Sequence, residues 1–253
     1  MIGSSALTTT RGENLRMAAA LALAGALAVL LLMPYLLAAM PALATQVRPH
    51  LALFVFAQVV QSGLLFLLLA WAGLRLGAPY GLDAPLLRHV LCGTAAPTQA
   101  QWRVALLLGA GVASLCILFT RLLPQPLSAS PAWWQGLLAS FYGGIGEEII
   151  CRLFLVSALL WLGARVTRSA VPSRALYIAA IVIAAVLFGI GHLPALAALG
   201  TASLTFSNIS YVVGLNALSG CAFGWLFWRY GLEHAMVAHF SADLVLHVAA
   251  PLL

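Results

Sequence analysis

Seven runs of this chain are long and apolar enough to cross a lipid bilayer, and no other feature limits its fold as much. A spanning helix needs about 20 predominantly apolar residues. Met17–Ala42, Leu51–Leu74, Val104–Thr120, Ala132–Gly163, Ala175–His192, Ile209–Trp228 and Ala235–Leu253 meet or approach that length. The third run is short, and the fourth is long enough to tilt or to extend past the bilayer. The pattern predicts an all-α polytopic membrane bundle of about seven transmembrane helices. Only 7% of the residues are charged, against about 25% in a soluble domain. No linker divides the 253 residues, so one integral membrane domain is expected, its first 131 residues carrying no motif and residues 132–253 carrying the chemistry.

Ala42-Leu43-Ala44 after the first run has the form of a signal-peptidase site. The apolar stretch before it exceeds the usual h-region of about 7–15 residues, which predicts an uncleaved first span. The second connection, Ala78–Gln101, contains Pro79, Pro85 and Pro97 with Asp83, Arg88 and His89, and predicts a loop with a short interfacial helix at Ala84–Leu91. Leu123-Pro124-Gln125-Pro126 and Ser130-Pro131 mark the next connection, with Trp133 and Trp134 placed as interface anchors, and Gly200–Asn208 is an uncharged polar turn region.

All twelve basic residues are arginine, and the formal net charge is +6. In a soluble protein that balance would suggest nucleic acid; here the arginines stand at the ends of apolar runs, so no nucleic-acid partner is expected. Arg11, Arg16, Arg75, Arg88, Arg103, Arg165, Arg168, Arg174 and Arg229 fall on one side of the expected topology, against Arg48 and Arg121 on the other. The positive-inside rule places the N-terminus in the cytoplasm and the C-terminus outside. Cys92, Cys116, Cys151 and Cys221 are widely spaced with no CxxC pair, and read as buried thiols.

One arginine, Arg152, remains within the fourth span together with Glu147 and Glu148, in the stretch GGIGEEIICR. Each such charge costs about 2.5–3.5 kcal/mol at the centre of a membrane helix. Glu148 and Arg152 are i and i+4 and can pair on one helix face. Glu147 lies about 100° away around an α-helix and has no partner within the segment. A carboxylate so placed faces a protein-lined or wet interior and is a candidate general base. Gly143, Gly144 and Gly146 remove bulk one turn before the pair and allow close approach of another element, or tight helix packing alone.

Histidines supply the remaining candidates. His192 ends the run Phe188-Gly189-Ile190-Gly191-His192, and His239 and Asp243 lie one turn apart on one helical face. A lone intramembrane histidine often serves as an interhelical hydrogen-bonder; three helices each offering ionisable groups favour a common site. His234 beside Glu233 reads as a loop residue, His247 as packing two turns from His239, and His50 and His89 as loop residues. His192 near the end of its span and His239 near the start of its own would lie toward opposite sides if both helices crossed simply. A break is expected in one of them, at His192-Leu193-Pro194 or at Tyr230-Gly231-Leu232, because irregular backbone is tolerated at depth where it lines a cavity.

In order, these segments resemble the CPBP family of intramembrane endopeptidases, which includes the CAAX prenyl proteases and bacteriocin-processing and self-immunity proteins. Glu147-Glu148-Ile-Ile-Cys-Arg152 matches the EExxxR motif, Phe188-Gly-Ile-Gly-His192 matches FxxxH, and His239-Phe-Ser-Ala-Asp243 matches HxxxN except at its last position. Ser219–Trp225 resembles the glycine-containing helix that precedes the third motif. The likeness covers roughly Gly136–Leu253. It implies a glutamate-dependent peptide-bond hydrolase whose site lies in the bilayer and whose partners are a membrane-associated peptide or protein substrate and the lipid itself. Carried over by position, Glu147 and His192 activate the attacking water, Glu148 and Arg152 hold the helix geometry with Phe188 in support, and His239 with residue 243 stabilises the oxyanion.

Asp243 departs from the family pattern. An ionised carboxylate only accepts hydrogen bonds, so Asp243 either acts as the protonated acid or orients His239. Cofactor use is open between none and zinc, since Glu147, His192 and His239 are the three ligand types of a catalytic zinc site. A proton- or ion-coupled transporter, or a non-catalytic membrane partner protein, is the alternative to an enzyme. The composition points to a bacterial inner membrane.

Overall fold

The computed structural model describes residues 9–97, 100–122, 131–199 and 204–252. Among these, the chain is helical throughout with no strand, and seven helical spans are long and apolar enough to cross a membrane. They run Arg11–Ala39, Pro41–Tyr80, Trp102–Leu122, Trp133–Val166, Arg174–Ala198, Phe206–Tyr230 and Leu232–Leu252. The seven expected runs are all present. The expected connection at Leu123-Pro124-Gln125-Pro126 and residues 200–203 of the expected Gly200–Asn208 turn fall outside the described residues.

Local sequence explains where several helices start. Helix α1, Arg11–Ala39, opens with a capping box in which Thr10 Oγ1 accepts from the Glu13 N–H at 3.2 Å and Glu13 accepts from the Thr10 N–H at 2.9 Å. The Ala42-Leu43-Ala44 stretch lies in α2, Pro41–Val47. After a 3-10 turn at Arg48–His50 the chain enters α3, Leu51–Gly77, which packs along α1. Helix α4, Pro85–Cys92, is the expected short segment between spans, and α5 is Trp102–Leu122.

The charges around α4 are not free loop charges. Arg88 is buried, its Nε 2.5 Å and Nη2 2.8 Å from the Asp83 carboxylate, and Nη2 also donates to Asn14 Oδ1 at 3.0 Å. Burial alone would lower the pKa of this guanidinium; the Asp83 hydrogen bonds and negative charge more than offset it and raise it above its ordinary value. Arg88 therefore pins α4 to the start of α1 and is a poor counter for membrane orientation. His89 faces the Thr94 carbonyl at 2.5 Å.

The fourth span carries the acidic pair and is not a plain α-helix. Helix α6, Trp133–Phe141, passes into π-helical stretches at Tyr142–Glu147 and Ile149–Val156 before α7, Ser157–Val166. Hydrogen bonding to i+5 widens the turn, and such stretches recur at functional sites. The 100° offset expected between Glu147 and Glu148 on an ideal helix does not apply here. Gln135 of α6 donates to the Pro34 carbonyl of α1 at 3.1 Å, which ties the first span to the fourth.

Helix α8, Arg174–Gly191, starts at a Ser173 cap and stops at His192; α9, Leu193–Leu199, follows. Helix α10, Phe206–Tyr230, is antiparallel to α8 and ends at Gly231, whose φ of +97° only glycine adopts without strain. Helix α11, Leu232–Asp243, begins there and continues into a third π-helical stretch, Leu244–Ala249. The backbone thus breaks at both expected places. His234 is correspondingly not a loop residue: it lies buried in the first turn of α11, where its Nε2 accepts from the Gln101 N–H at 3.0 Å and its ring stacks on Trp102.

Phe66, Leu153, Leu160, Phe223, Phe227 and Leu232 form part of the fully buried core, while large apolar side chains such as Leu53, Leu68 and Leu107 lie open on the outside. A bundle in lipid has that distribution, since hydrocarbon solvates leucine as well as the core does.

Candidate active site

Four helical elements bring ionisable and aromatic side chains to one place. The π-helical stretches of the fourth span provide Glu147, Glu148 and Arg152; α11 provides His239 and Asp243; α8 provides Phe188; and α10 provides Phe223. His239 is the hub. Its Nδ1 stands 2.7 Å from Glu148 Oε1, and its Nε2 stands 3.6 Å from Glu147 Oε2 and 3.8 Å from Asp243 Oδ1.

Glu148 is fully buried and Arg152 nearly so. Arg152 Nη1 lies 3.1 Å from Glu148 Oε1, which pairs the charges without an aligned hydrogen bond: neither Nη1 nor Nη2 makes one among the described residues. The guanidinium instead rests on two rings, 4.8 Å from the centroid of Phe188 and 5.4 Å from that of Phe223, in cation–π contact. The Phe223 ring also stacks on His239 at 4.9 Å. Arg152, Glu148 and His239 thus form one packed column. The sequence reading had Glu148 tied to Arg152 alone; its bond to His239, 91 residues further on, has no local signal.

Gly143 makes this approach possible. A Cβ there would overlap the Asp243 carboxylate and stand 3.2 Å from His239 Nε2. The glycine leaves room for the Asp243 carboxylate where α11 faces the fourth span.

Glu147 is the open member of the cluster. Its side chain keeps 22% exposure, against 0% for Glu148. A carboxylate that reaches both the cluster and its surroundings is placed to exchange protons with a bound water.

His192 sits apart from this group. It caps α8, with Nδ1 2.9 Å from the Phe188 carbonyl. A carbonyl only accepts, so Nδ1 carries the hydrogen and Nε2 of the neutral ring is left as an acceptor. The Phe188 ring stands between the two imidazoles, 4.6 Å from His192 and 6.0 Å from His239, edge-on to both. Among the described residues the carboxylate ion pairs of histidine are those of His239 and His247, and His192 forms none with Glu147.

Two further side chains border the cluster, His247 beside Asp243 and Tyr35 beside His247, and were not read as part of the site. His247 Nε2 lies 4.0 Å from Asp243 Oδ1, and the Tyr35 ring from α1 meets His247 edge-on at 5.6 Å. The i, i+4 spacing of Asp243 and His247 carried the signal for the first; nothing in the sequence marked the second.

Among the described residues no group of three or more His, Cys, Asp or Glu side chains is arranged to hold a metal ion. Glu147, His192 and His239 do not converge as a three-ligand set, so the zinc alternative gains no support from this geometry.

Fold and cluster together define a polytopic integral membrane protein with an ionisable centre buried inside its helical bundle. Residues 129–245 match the family model described as type II CAAX prenyl endopeptidase Rce1-like. The match agrees with the CPBP resemblance and encloses every member of the cluster from Glu147 to Asp243, leaving Tyr35 and His247 outside it. No curated protein and no solved structure matches the chain.

Proposed function

We propose that the chain is an intramembrane endopeptidase that hydrolyses a peptide bond of a membrane-anchored or hydrophobic peptide, with Glu147 as general base. The observation that carries this reading is the position of His239, held at Nδ1 by Glu148 while its Nε2 faces Glu147 and Asp243. Separations of 3.6 and 3.8 Å exceed a direct hydrogen bond of about 2.7–3.2 Å and suit a small bound species between the groups.

In the proposed reaction Glu147 takes a proton from water as the water oxygen attacks the scissile carbonyl carbon. The carbonyl oxygen becomes an oxyanion, which His239 Nε2–H and the protonated Asp243 stabilise by donation. The proton held by Glu147 then passes to the departing amide nitrogen as the C–N bond breaks, leaving a carboxylic acid and an amine and returning Glu147 to the carboxylate. His192 contributes its free Nε2 as an acceptor that holds the water, through a water bridge rather than direct contact with Glu147. Glu148 holds the ring of His239: an ionised carboxylate only accepts, so Nδ1 donates to it, and with Nε2–H donating as well His239 acts as the imidazolium.

Residues 132–253 form the catalytic core on this reading, and α1 closes one side of it through Gln135 and Tyr35. The matched family points to CAAX-type substrates, a peptide processed beside a lipid anchor. The test is cleavage of a prenylated CAAX-type peptide by the protein reconstituted in liposomes. Glu147→Gln should lose about 10²–10⁴-fold in rate, the usual span of a general base, and His192→Ala should also be strongly impaired, with normal membrane insertion. Full activity of either variant would sink the assignment.

A further inference from the structure

At the far end of the first two spans from Tyr35, a cavity of about 620 Å³ opens between the start of α1 and the end of α3, lined among others by Thr9, Arg11, Asn14, Trp71, Arg75 and Pro79. Arg11 begins the first apolar span and Arg75 ends the second, so both lie where bilayer hydrocarbon gives way to headgroups. Neither guanidinium has an ion-pair partner among the described residues. Arg75 lies over the Trp71 ring, 5.5 Å from its centroid. The acidic group beside the cavity is already engaged, since Glu13 accepts from the Thr10 N–H and faces Arg88 at 4.0 Å. That capping box also occupies the helix terminus, so the two arginines are the groups left for a ligand.

Below the arginines the surface is apolar. Leu64, Leu68, Trp71 and Arg75 follow one another at helical spacing along a single stripe of α3, and the first three are exposed. On α1 the exposed Leu15 stands one turn inside Arg11. Two unpaired guanidiniums at headgroup level, above an exposed apolar stripe at acyl-chain level, form a two-part surface. A free phosphate would use only its upper part.

We propose that this cavity binds the phosphate headgroup of an anionic phospholipid, with Arg11 and Arg75 on the phosphate and the acyl chains lying along the Leu64–Leu68–Trp71 stripe. Guanidinium matches phosphate oxygens with paired donors, and basic pockets between membrane helices are a known form of lipid-headgroup site. The site is remote from Glu147 in sequence and independent of the proteolytic reading.

The experiment uses the full chain, delipidated in detergent, with phosphatidylglycerol, phosphatidylcholine or inorganic phosphate added and bound lipid counted by native mass spectrometry. Two basic groups near the surface predict about thirtyfold preference for phosphatidylglycerol over phosphatidylcholine. The R11Q/R75Q double variant should lose that preference, and R121Q, at the opposite end of α5, should retain it. Unchanged preference in the double variant overturns the proposal. Displacement of phosphatidylglycerol by inorganic phosphate at equal concentration overturns the lipid assignment, since the stripe would then contribute nothing. Should the double variant fail to fold, R11Q and R75Q alone are each expected to weaken the preference by about fivefold, and no change in either overturns the site equally.

Discussion

Glu148 Oε1 receives two cationic or potentially cationic groups at once, His239 Nδ1 at 2.7 Å and Arg152 Nη1 at 3.1 Å. The carboxylate that pairs within its own helix also fixes the imidazole of another. Glu148→Gln keeps the shape of the side chain but removes its charge. It leaves Arg152 buried and uncompensated, at a cost of about 3–5 kcal/mol, and its amide can present either a donor or an acceptor to His239. The expected outcome is a lowered melting temperature together with a loss of peptidase activity of about a hundredfold or more. Melting unchanged from wild type would show that the Arg152–Glu148 pair is not what holds this part of the bundle.

Gly143 separates crowding from chemistry. Gly143→Ala places a methyl group into the Asp243 carboxylate and against His239 Nε2. It should displace the Asp243 carboxylate from its place beside His239 and cost activity at least tenfold, since small misplacements of reacting groups are magnified in rate. Gly111→Ala in α5 meets nothing within 4 Å and is the matched control. That change should be neutral or stabilise the helix by about 0.5–1 kcal/mol. The comparison is read from cleavage rates and thermal melting of both variants in the same detergent.

The spans were legible because a bilayer demands apolar length, and no tertiary contact is needed to see it. Boundaries were less so: the third run, short as Val104–Thr120, proves to be Trp102–Leu122 once Trp102 and Arg103 are included as interfacial residues. Glu147, Glu148 and Arg152 stood out because charge in hydrocarbon is costly, and His239 and Asp243 because they share a helical face. The π-helical backbone beneath the acidic pair had no sequence signature beyond its glycines. Arg88 read as a loop cation because its partners Asp83 and Asn14 come together only when α4 folds back on α1. Glu148 to His239, like Tyr35 to His247, is a contact between separate spans, and a single sequence carries no record of such pairs.

The Asp83–Arg88 pair gives a stability test away from the site. Both side chains are about 95% buried and joined by two hydrogen bonds. Asp83→Asn should destabilise the protein by about 3–5 kcal/mol, the penalty for leaving one buried charge unpaired. Cleavage rate per folded molecule should stay close to wild type at temperatures where the variant is folded. A specific activity that falls in step with stability would instead couple α4 to the reaction.

Asp243 is the position where this chain departs from the family motif, and the geometry favours one of its two roles. His239 is already oriented at Nδ1 by Glu148, so a second orienting carboxylate is redundant. Asp243 Oδ1 lies 3.8 Å from His239 Nε2 and 4.0 Å from His247 Nε2, beyond the reach of a direct orienting hydrogen bond. On the proposed reaction the role left to it is that of a donor to the oxyanion. Asp243→Asn supplies an amide N–H at the same place and should keep activity within about tenfold of wild type, while Asp243→Ala removes the donor and should lose about 10²–10³-fold in kcat. Measuring kcat and KM separately decides the matter, because an oxyanion donor acts on kcat. Inactive Asn and Ala variants together would return Asp243 to the orienting role.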